Sequence, residues 1–282
     1  MNSFKQFAKR RRITAVAAAL AATTSIALGG ASSAGASGPT SSAQHDKPTV
    51  VIVHGAWTDA SSFSDVQQIL HRDGYDVLDF ANPLRSLSGD ADHLASFLGS
   101  RTSGPVILVG HSYGGAVIGE AGLSDPDVRG LVYVNAFVPA EGESLLDLLN
   151  SAGPVDPNAL FDAVPYPGAP EGDVDLYLKR EAFGPAFATG LSKKDQAAFY
   201  SLQRPITLSA VGEKAGADRA WETLPSWYVA GTKDGSIPLE LQLKMADRAG
   251  STVTRTKAGH LSMVSDPKTV ARVIETAAAR TK

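Results

Sequence analysis

One pentapeptide, Gly110-His111-Ser112-Tyr113-Gly114, constrains this chain more than any other feature, because of what flanks it. Val106-Ile107-Leu108-Val109 precedes it, an apolar, mostly β-branched run of strand type. A stretch rich in small residues, reaching to Leu123, follows it with helical character. A serine at so sharp a strand-to-helix turn is forced into a strained backbone. Gly110 and Gly114 fit there because side chains at either place would collide with the neighbouring strand or helix. The start of the helix aims amide groups and the positive end of its dipole at the same spot. Glycine-serine turns arise by chance, but rarely between a strand and a helix. Ser112 is therefore the candidate nucleophile.

The rest of the chain repeats the same alternation. Residues 49–53, 76–80, 106–109, 128–136, 226–230 and 252–256 read as six strands, and the first is a continuous apolar run of the kind buried on both faces of a parallel sheet. Helices fall between them. Residues 61–72 carry Phe63, Val66, Ile69 and Leu70 at helical spacing, and Gly74 ends the run. Ser88 is read as the cap of a second helix with Leu94, Phe97 and Leu98 inward. Pro238 begins a helix that ends at Gly250, and Asp266-Pro267 caps the last. The fold class is thus α/β, a mostly parallel sheet with helices on both faces. Between residues 139 and 220 the rhythm breaks into Pro-, Gly- and acid-rich sequence with short helices near 144–149 and 193–202. That block reads as a cap over the carboxyl ends of the strands, where ligands bind in such sheets.

A serine hydroxyl needs a base. Of six histidines, His45 lies in a polar linker, His71 and His93 on helix surfaces, and His54 shapes the turn after the first strand. His111 is expected to point away from Ser112 along its strand. His260 follows the last strand on a loop at the carboxyl ends, where it could take the Ser112 proton and pass it to a leaving group. The base needs a carboxylate to fix its tautomer. Asp234 in Thr232-Lys233-Asp234-Gly235, just past the fifth strand, is the candidate, although Asp-Gly is also a turn former. Glu141 and Glu143, after the fourth strand, are the rivals. The chain order Ser, Asp, His is that of a known hydrolase arrangement. Two amides would receive an oxyanion, one from Tyr113 and one most simply from Ala56 in His54-Gly55-Ala56-Trp57. Trp57 either contacts substrate or covers the core.

The chain contains no cysteine, which excludes disulfides, thiol catalysis and thiolate metal sites. Metal-ligand spacings and phosphate-cradling Gly-rich loops are lacking too, so no metal or cofactor is implied. Lys5, Lys9, Arg10, Arg11 and Arg12 form a basic head, and an apolar run from Ile13 to Leu28 leads to Ala34-Gly35-Ala36. Residues 1–36 are expected to be a secretory signal cleaved near Ala36, with a weak twin-arginine character, and residues 37–47 a flexible linker. The run is Ala-rich and interrupted by Thr23, Thr24 and Ser25, so no stable membrane anchor is expected. Without residues 1–36 the chain carries 21 basic against 29 acidic residues, net −8, which gives no reason to expect nucleic acid or an anionic membrane as partner. The expected product is an extracellular enzyme acting on a small-molecule ester. Its oligomeric state is not readable.

From Pro48 to about Arg280 the chain resembles the α/β-hydrolase superfamily. The residues that carry the likeness are His54-Gly55-Ala56-Trp57, the Ser112 pentapeptide, Asp234 and His260. It is most similar to the small-esterase branch that includes plant methyl esterases and hydroxynitrile lyases, through Val106 to Gly115, Phe137-Val138-Pro139 and His260-Leu261-Ser262-Met263-Val264-Ser265. The resemblance implies an α/β-hydrolase fold, with the triad and oxyanion residues as assigned above. Lyases of that branch have lysine directly after the catalytic histidine, and this chain has Leu261. Ester hydrolysis through an acyl-enzyme on Ser112 is the first expectation. Amide hydrolysis, cofactor-free peroxidation and carbon–carbon lysis are the alternatives on the same residues. A non-catalytic binding protein is the remaining one.

Overall fold

The structure, a computed structural model, describes residues 47–154 and 156–281. The expected secretory signal lies outside the described residues, as does the expected linker apart from Lys47. Six strands form the main sheet: β1 (Thr49–Val53), β2 (Val77–Phe80), β3 (Val106–His111), β4 (Val128–Val134), β8 (Ser226–Gly231) and β9 (Thr252–Thr256). Their order is β2-β1-β3-β4-β8-β9 and every pairing is parallel. Alternation along each strand explains the uninterrupted apolar runs. Val51, Val53 and Leu108 enter one core, while Val50, Ile52, Ile107 and Val109 enter another on the opposite face. Helices Leu87–Arg101, Tyr113–Ala121 and Leu239–Arg248 supply the first core, and Ser64–Arg72 and Pro267–Arg280 the second.

Local chemistry corrects several boundaries. Ser86, not Ser88, caps the second helix, its side chain accepting from the Gly89 amide. The helix expected from Pro238 has that residue as its cap and runs Leu239–Arg248. β4 stops at Val134, two residues short of expectation, because Asn135 turns to φ +46°, a left-handed backbone that no strand continues through. Between β4 and β8 lies more than short helices. Strands β5 (Phe161–Val164), β6 (Asp175–Leu178) and β7 (Ile206–Thr207) form a separate antiparallel sheet in the order β5-β6-β7. The same block includes helices Leu145–Ala152 and Lys193–Ser201. At its end the buried Arg219 pairs with Glu120 of the helix that begins at Tyr113.

The strand order places the site. The chain moves from β1 outward to β2, then crosses back to β3 on the other side of β1. The carboxyl ends of β1 and β3 therefore lie side by side with connections leaving in opposite directions, the switch point at which ligands bind in sheets of this kind. Val53 is in register with Gly110, so the turn after β1 and the turn after β3 face each other. The ends of β4, β8 and β9 continue the row.

Candidate active site

Ser112 stands between β3 and the helix Tyr113–Ala121 with φ +52° and ψ −122°, a conformation that side chains rarely adopt. Close backbone packing imposes it. A Cβ on Gly114 would lie 2.2 Å from the Val53 carbonyl oxygen, and one on Gly110 would lie 2.6 Å from the Gly114 carbonyl oxygen. Gly55 is constrained from the other side, since a Cβ there would meet Ser112 Cβ at 2.7 Å. The Tyr113 side chain anchors the turn, its hydroxyl donating to Asp90 Oδ2 at 2.8 Å. Burial raises the Asp90 carboxyl above the usual carboxylate range, although that hydrogen bond opposes the shift.

Asp234 and His260 are in direct contact, Nδ1 to Oδ2 at 2.9 Å, and both side chains are fully buried. The carboxylate oxygen accepts, so Nδ1 is the donor in this contact and Nε2 points away from the acid. Among the described residues Nε2 has no hydrogen-bond partner. Asp234 is held from all sides. Its Oδ1 accepts the amides of Ser236 at 2.8 Å and Ile237 at 2.9 Å. Its Oδ2 accepts Asn135 Nδ2 at 2.9 Å and Gln242 Nε2 at 3.2 Å, besides His260. The rival acids are placed elsewhere: Glu143 pairs with Arg248 at 2.8 Å and Glu141 is exposed.

His111 reaches the loop that follows β9. Its ring packs against that of His260 with centroids 4.8 Å apart, and its Nε2 lies 3.1 Å from the His260 carbonyl. The carbonyl accepts, so Nε2 is the protonated nitrogen. Burial, followed by the nearness of His260, pushes the His111 pKa well below its ordinary value, so the ring stays neutral. Ser112 follows His111 directly at the end of β3, while Asp234 and His260 lie past the ends of β8 and β9, with β4 between.

The turn after β1 carries the expected oxyanion donor, the Ala56 amide. His54 Nδ1 lies 2.9 Å from the Gly55 carbonyl, and its Nε2 accepts the Asn82 amide at 3.2 Å. Carbonyl and N–H point opposite ways across a trans peptide, so pinning the Gly55 carbonyl to His54 turns the Ala56 N–H to the other side. The next amide, that of Trp57, is engaged by the Arg204 carbonyl at 2.8 Å. Neither the Ala56 nor the Tyr113 amide has a backbone acceptor among the described residues. Trp57 itself, at φ +58°, is half-buried and ties the turn to the cap. Its indole donates to the Leu176 carbonyl at 2.8 Å and stacks on Phe161 with centroids 5.4 Å apart.

Burial lowers the His54 pKa to about 4. Below about pH 6.5 the unfolded chain takes up a proton there that the folded form refuses until about pH 4. Wild type should therefore lose about 3 kcal/mol of stability across that window through this residue. In His54→Gln the contribution is absent. The difference in Tm between the two proteins is expected to narrow or reverse from pH 7 to pH 4, and a constant difference in thermal melts would refute it.

The cap closes the site. Phe187 lies with its ring 5.2 Å from that of His260. Cap backbone presses on the loops of both Asp234 and His260, since a Cβ on Gly235 would lie 2.3 Å from the Pro185 carbonyl oxygen and one on Gly259 would lie 2.3 Å from that of Thr189. Ser112 is 3% exposed and His260 0%. Sequence reasoning missed Asn135, Gln242 and Ser262 in this cluster. The Asn135-Ala136 pair after an apolar strand and the single polar Gln242 on the buried side of its helix were the available hints.

Comparison with known proteins identifies the family and the fold. A family described as Alpha/beta hydrolase family matches residues 50–273. A carbendazim hydrolyzing esterase of Nocardioides sp. is 40% identical over 126 residues, 39% of this chain and 51% of that protein. A putative chloroplastic methylesterase 11 of Arabidopsis thaliana is 28% identical over 79% of this chain and 62% of that protein. The matches thus span between half and two thirds of those relatives' lengths. Among solved structures, polyneuridine aldehyde esterase superposes with TM-score 0.70 at 22% identity, covering 82% of this chain and 98% of that one.

Proposed function

From the premise that this chain belongs to the alpha/beta hydrolase family, we propose that it cleaves carboxylic esters through an acyl-enzyme on Ser112. The observation that carries the reading is the His260 Nδ1 to Asp234 Oδ2 contact of 2.9 Å, which turns Nε2 away from the acid and leaves it without a partner among the described residues, in a row of strand ends that also holds the strained Ser112. Ser112 Oγ attacks the ester carbonyl carbon while its proton passes to His260 Nε2. The oxyanion accepts hydrogen bonds from the Ala56 and Tyr113 amides. As the tetrahedral intermediate collapses, the carbon–oxygen bond to the alcohol breaks and the His260 proton leaves with the alcohol. Water then attacks the acyl-serine, giving its proton to His260, and the acid departs as that proton returns to Ser112. Imidazolium formed in each half is stabilised by Asp234.

Two relatives named as esterases and the apolar enclosure by Trp57, Phe161 and Phe187 support an ester of small to medium size with a largely apolar acyl or alcohol part. Leu261, fully buried in the core, fills the position where the lyases of the branch place lysine, which favours hydrolysis over carbon–carbon lysis. On a panel of p-nitrophenyl esters and matched amides, wild type should turn over esters, and Ser112→Ala should lose at least about 10⁴-fold in kcat. A fluorophosphonate should label wild type and not the variant. Folded wild type that is neither labelled nor active would overturn the proposal.

A further inference from the structure

Asn135 is the residue immediately past β4, and its one side chain touches three parts of the candidate site. Nδ2 donates to Asp234 Oδ2 at 2.9 Å and to the Gly259 carbonyl at 3.2 Å. Oδ1 accepts the Ser262 hydroxyl at 2.6 Å. The assignment of nitrogen and oxygen follows from the partners, because a carboxylate and a carbonyl can only accept. Asn135 therefore grips the acid directly and the base loop on both sides of His260. Its own backbone is fixed as well, the amide donating to the Val229 carbonyl at 2.9 Å. The side chain is fully buried.

Two further features show that the surroundings are built for this amide. Asn135 has φ +46°, and asparagine is one of the few residues other than glycine that accept such a backbone at small cost. Gly231, the last residue of β8, leaves the space it occupies, since a Cβ there would lie 2.3 Å from Asn135 Nδ2. The strand carrying the acid thus ends in the residue that admits Asn135.

We propose that Asn135 is a positioning residue for the proposed hydrolysis: it holds the Asp234 carboxylate and the backbone around His260 in one arrangement, so that the imidazole is presented to Ser112 without a search. The proposal rests on the reading of Ser112, His260 and Asp234 as the reacting set. Asn135 lies behind Asp234 and reaches no substrate, so its removal should act on kcat rather than KM. The titratable groups facing the cluster are Asp234 and His260 themselves, His111 of β3 with its ring 4.8 Å from that of His260, and Tyr228 of β8, whose hydroxyl donates to the Ala136 carbonyl at 2.6 Å. The cap presents Phe187 and Thr189, neither of which titrates in water.

Two variants separate the amide's hydrogen bonds from its bulk and backbone. Asn135→Gly keeps the left-handed backbone and removes the side chain, and kcat should fall by about 10²-fold with KM nearly unchanged. Asn135→Asp keeps the shape. A neutral carboxyl offers Asp234 one O–H in place of the amide, and burial beside a second carboxylate favours that neutral form. Once ionised it repels Asp234 instead. Wild-type kcat/KM should rise with pH to a plateau. Asn135→Asp should give a bell whose descending limb wild type lacks. A residue that merely fills space would leave the profile's shape unchanged. The far-downfield His260 Nδ1–H resonance, recorded by NMR in Ser112→Ala, should disappear when Asn135→Gly is added. Turnover retained in Ser112→Ala would refute the proposed function, while the resonance tests Asn135 independently of turnover. An Asn135→Asp profile parallel to wild type, kcat of Asn135→Gly within about threefold of wild type, or an undisturbed resonance would overturn the role of Asn135.

Discussion

Asp234→Asn is expected to lower kcat/KM by about 10⁴-fold in a protein that still folds. The size of the effect follows from the five donors that converge on this carboxylate: the Ser236 and Ile237 amides on Oδ1, and His260, Asn135 and Gln242 on Oδ2. An amide at position 234 has one accepting atom and one donating group. Turned one way, its NH₂ faces two backbone N–H groups that have nowhere to move. Turned the other way, it faces His260 Nδ1 and converts that nitrogen to an acceptor. The proton then sits on Nε2, where it cannot receive another from Ser112. Both orientations leave buried donors unpaired, at a cost of about 1–3 kcal/mol, so Tm should fall as well. Steady-state kinetics beside thermal melts check both parts. A loss of less than about tenfold would show that the acid sits elsewhere.

Gly114→Ala should be among the most damaging added methyl groups at the described glycines. The added carbon would lie 2.2 Å from the Val53 carbonyl oxygen and 3.0 Å from that of His54, both backbone atoms of β1 and its turn. No flexible side chain can yield, so the helix behind Ser112 must shift by about an ångström or the strand must deform. Overpacking of this kind costs about 1–3 kcal/mol in a yielding core and more where backbone meets backbone. Even if the protein folds, the shift moves Ser112 Oγ and the Tyr113 amide together, and about 10²-fold in kcat should be lost. Gly99→Ala is the matched control. Nothing lies within 4 Å of its new methyl, and the site is helical, so stability should rise by about 0.5–1 kcal/mol. Equal Tm values for the two variants would contradict the packing argument.

Much of this could be read from the chain because the chemistry lies in short local patterns. A strand buried on both faces is an unbroken apolar run, as in Thr49–Val53, and the serine turn carries its glycines within five residues. Asp234 and His260 follow strands that alternation alone locates. Asn135 was hidden for the opposite reason. Its partners lie 99 and 124 residues away, and its amide means nothing until β4, β8 and β9 are side by side. The rival carboxylates Glu141 and Glu143 were looked for just beyond the place where an asparagine stands. The cap strands escaped because Phe161–Val164 is short and mostly exposed, with no apolar alternation to betray it. The contact of His111 with His260 was not legible, since strand alternation sets where a side chain starts but not how far an imidazole extends.

The helix behind Ser112 has a bearing on how such a protein can diversify. Gly114, Gly115 and the glycine at its end, Gly122, touch the end of β1, the segment after β4 and the end of the cap through contacts that admit no added carbon. Random substitution along this helix is thus filtered before catalysis is ever sampled. The cap aromatics are under no such restriction, being side chains set against side chains. A lineage under selection for a new compound has one part it can rewrite and one it must inherit intact. Novelty in substrate should accumulate in residues 157–207, while the machinery beneath is passed on almost letter for letter.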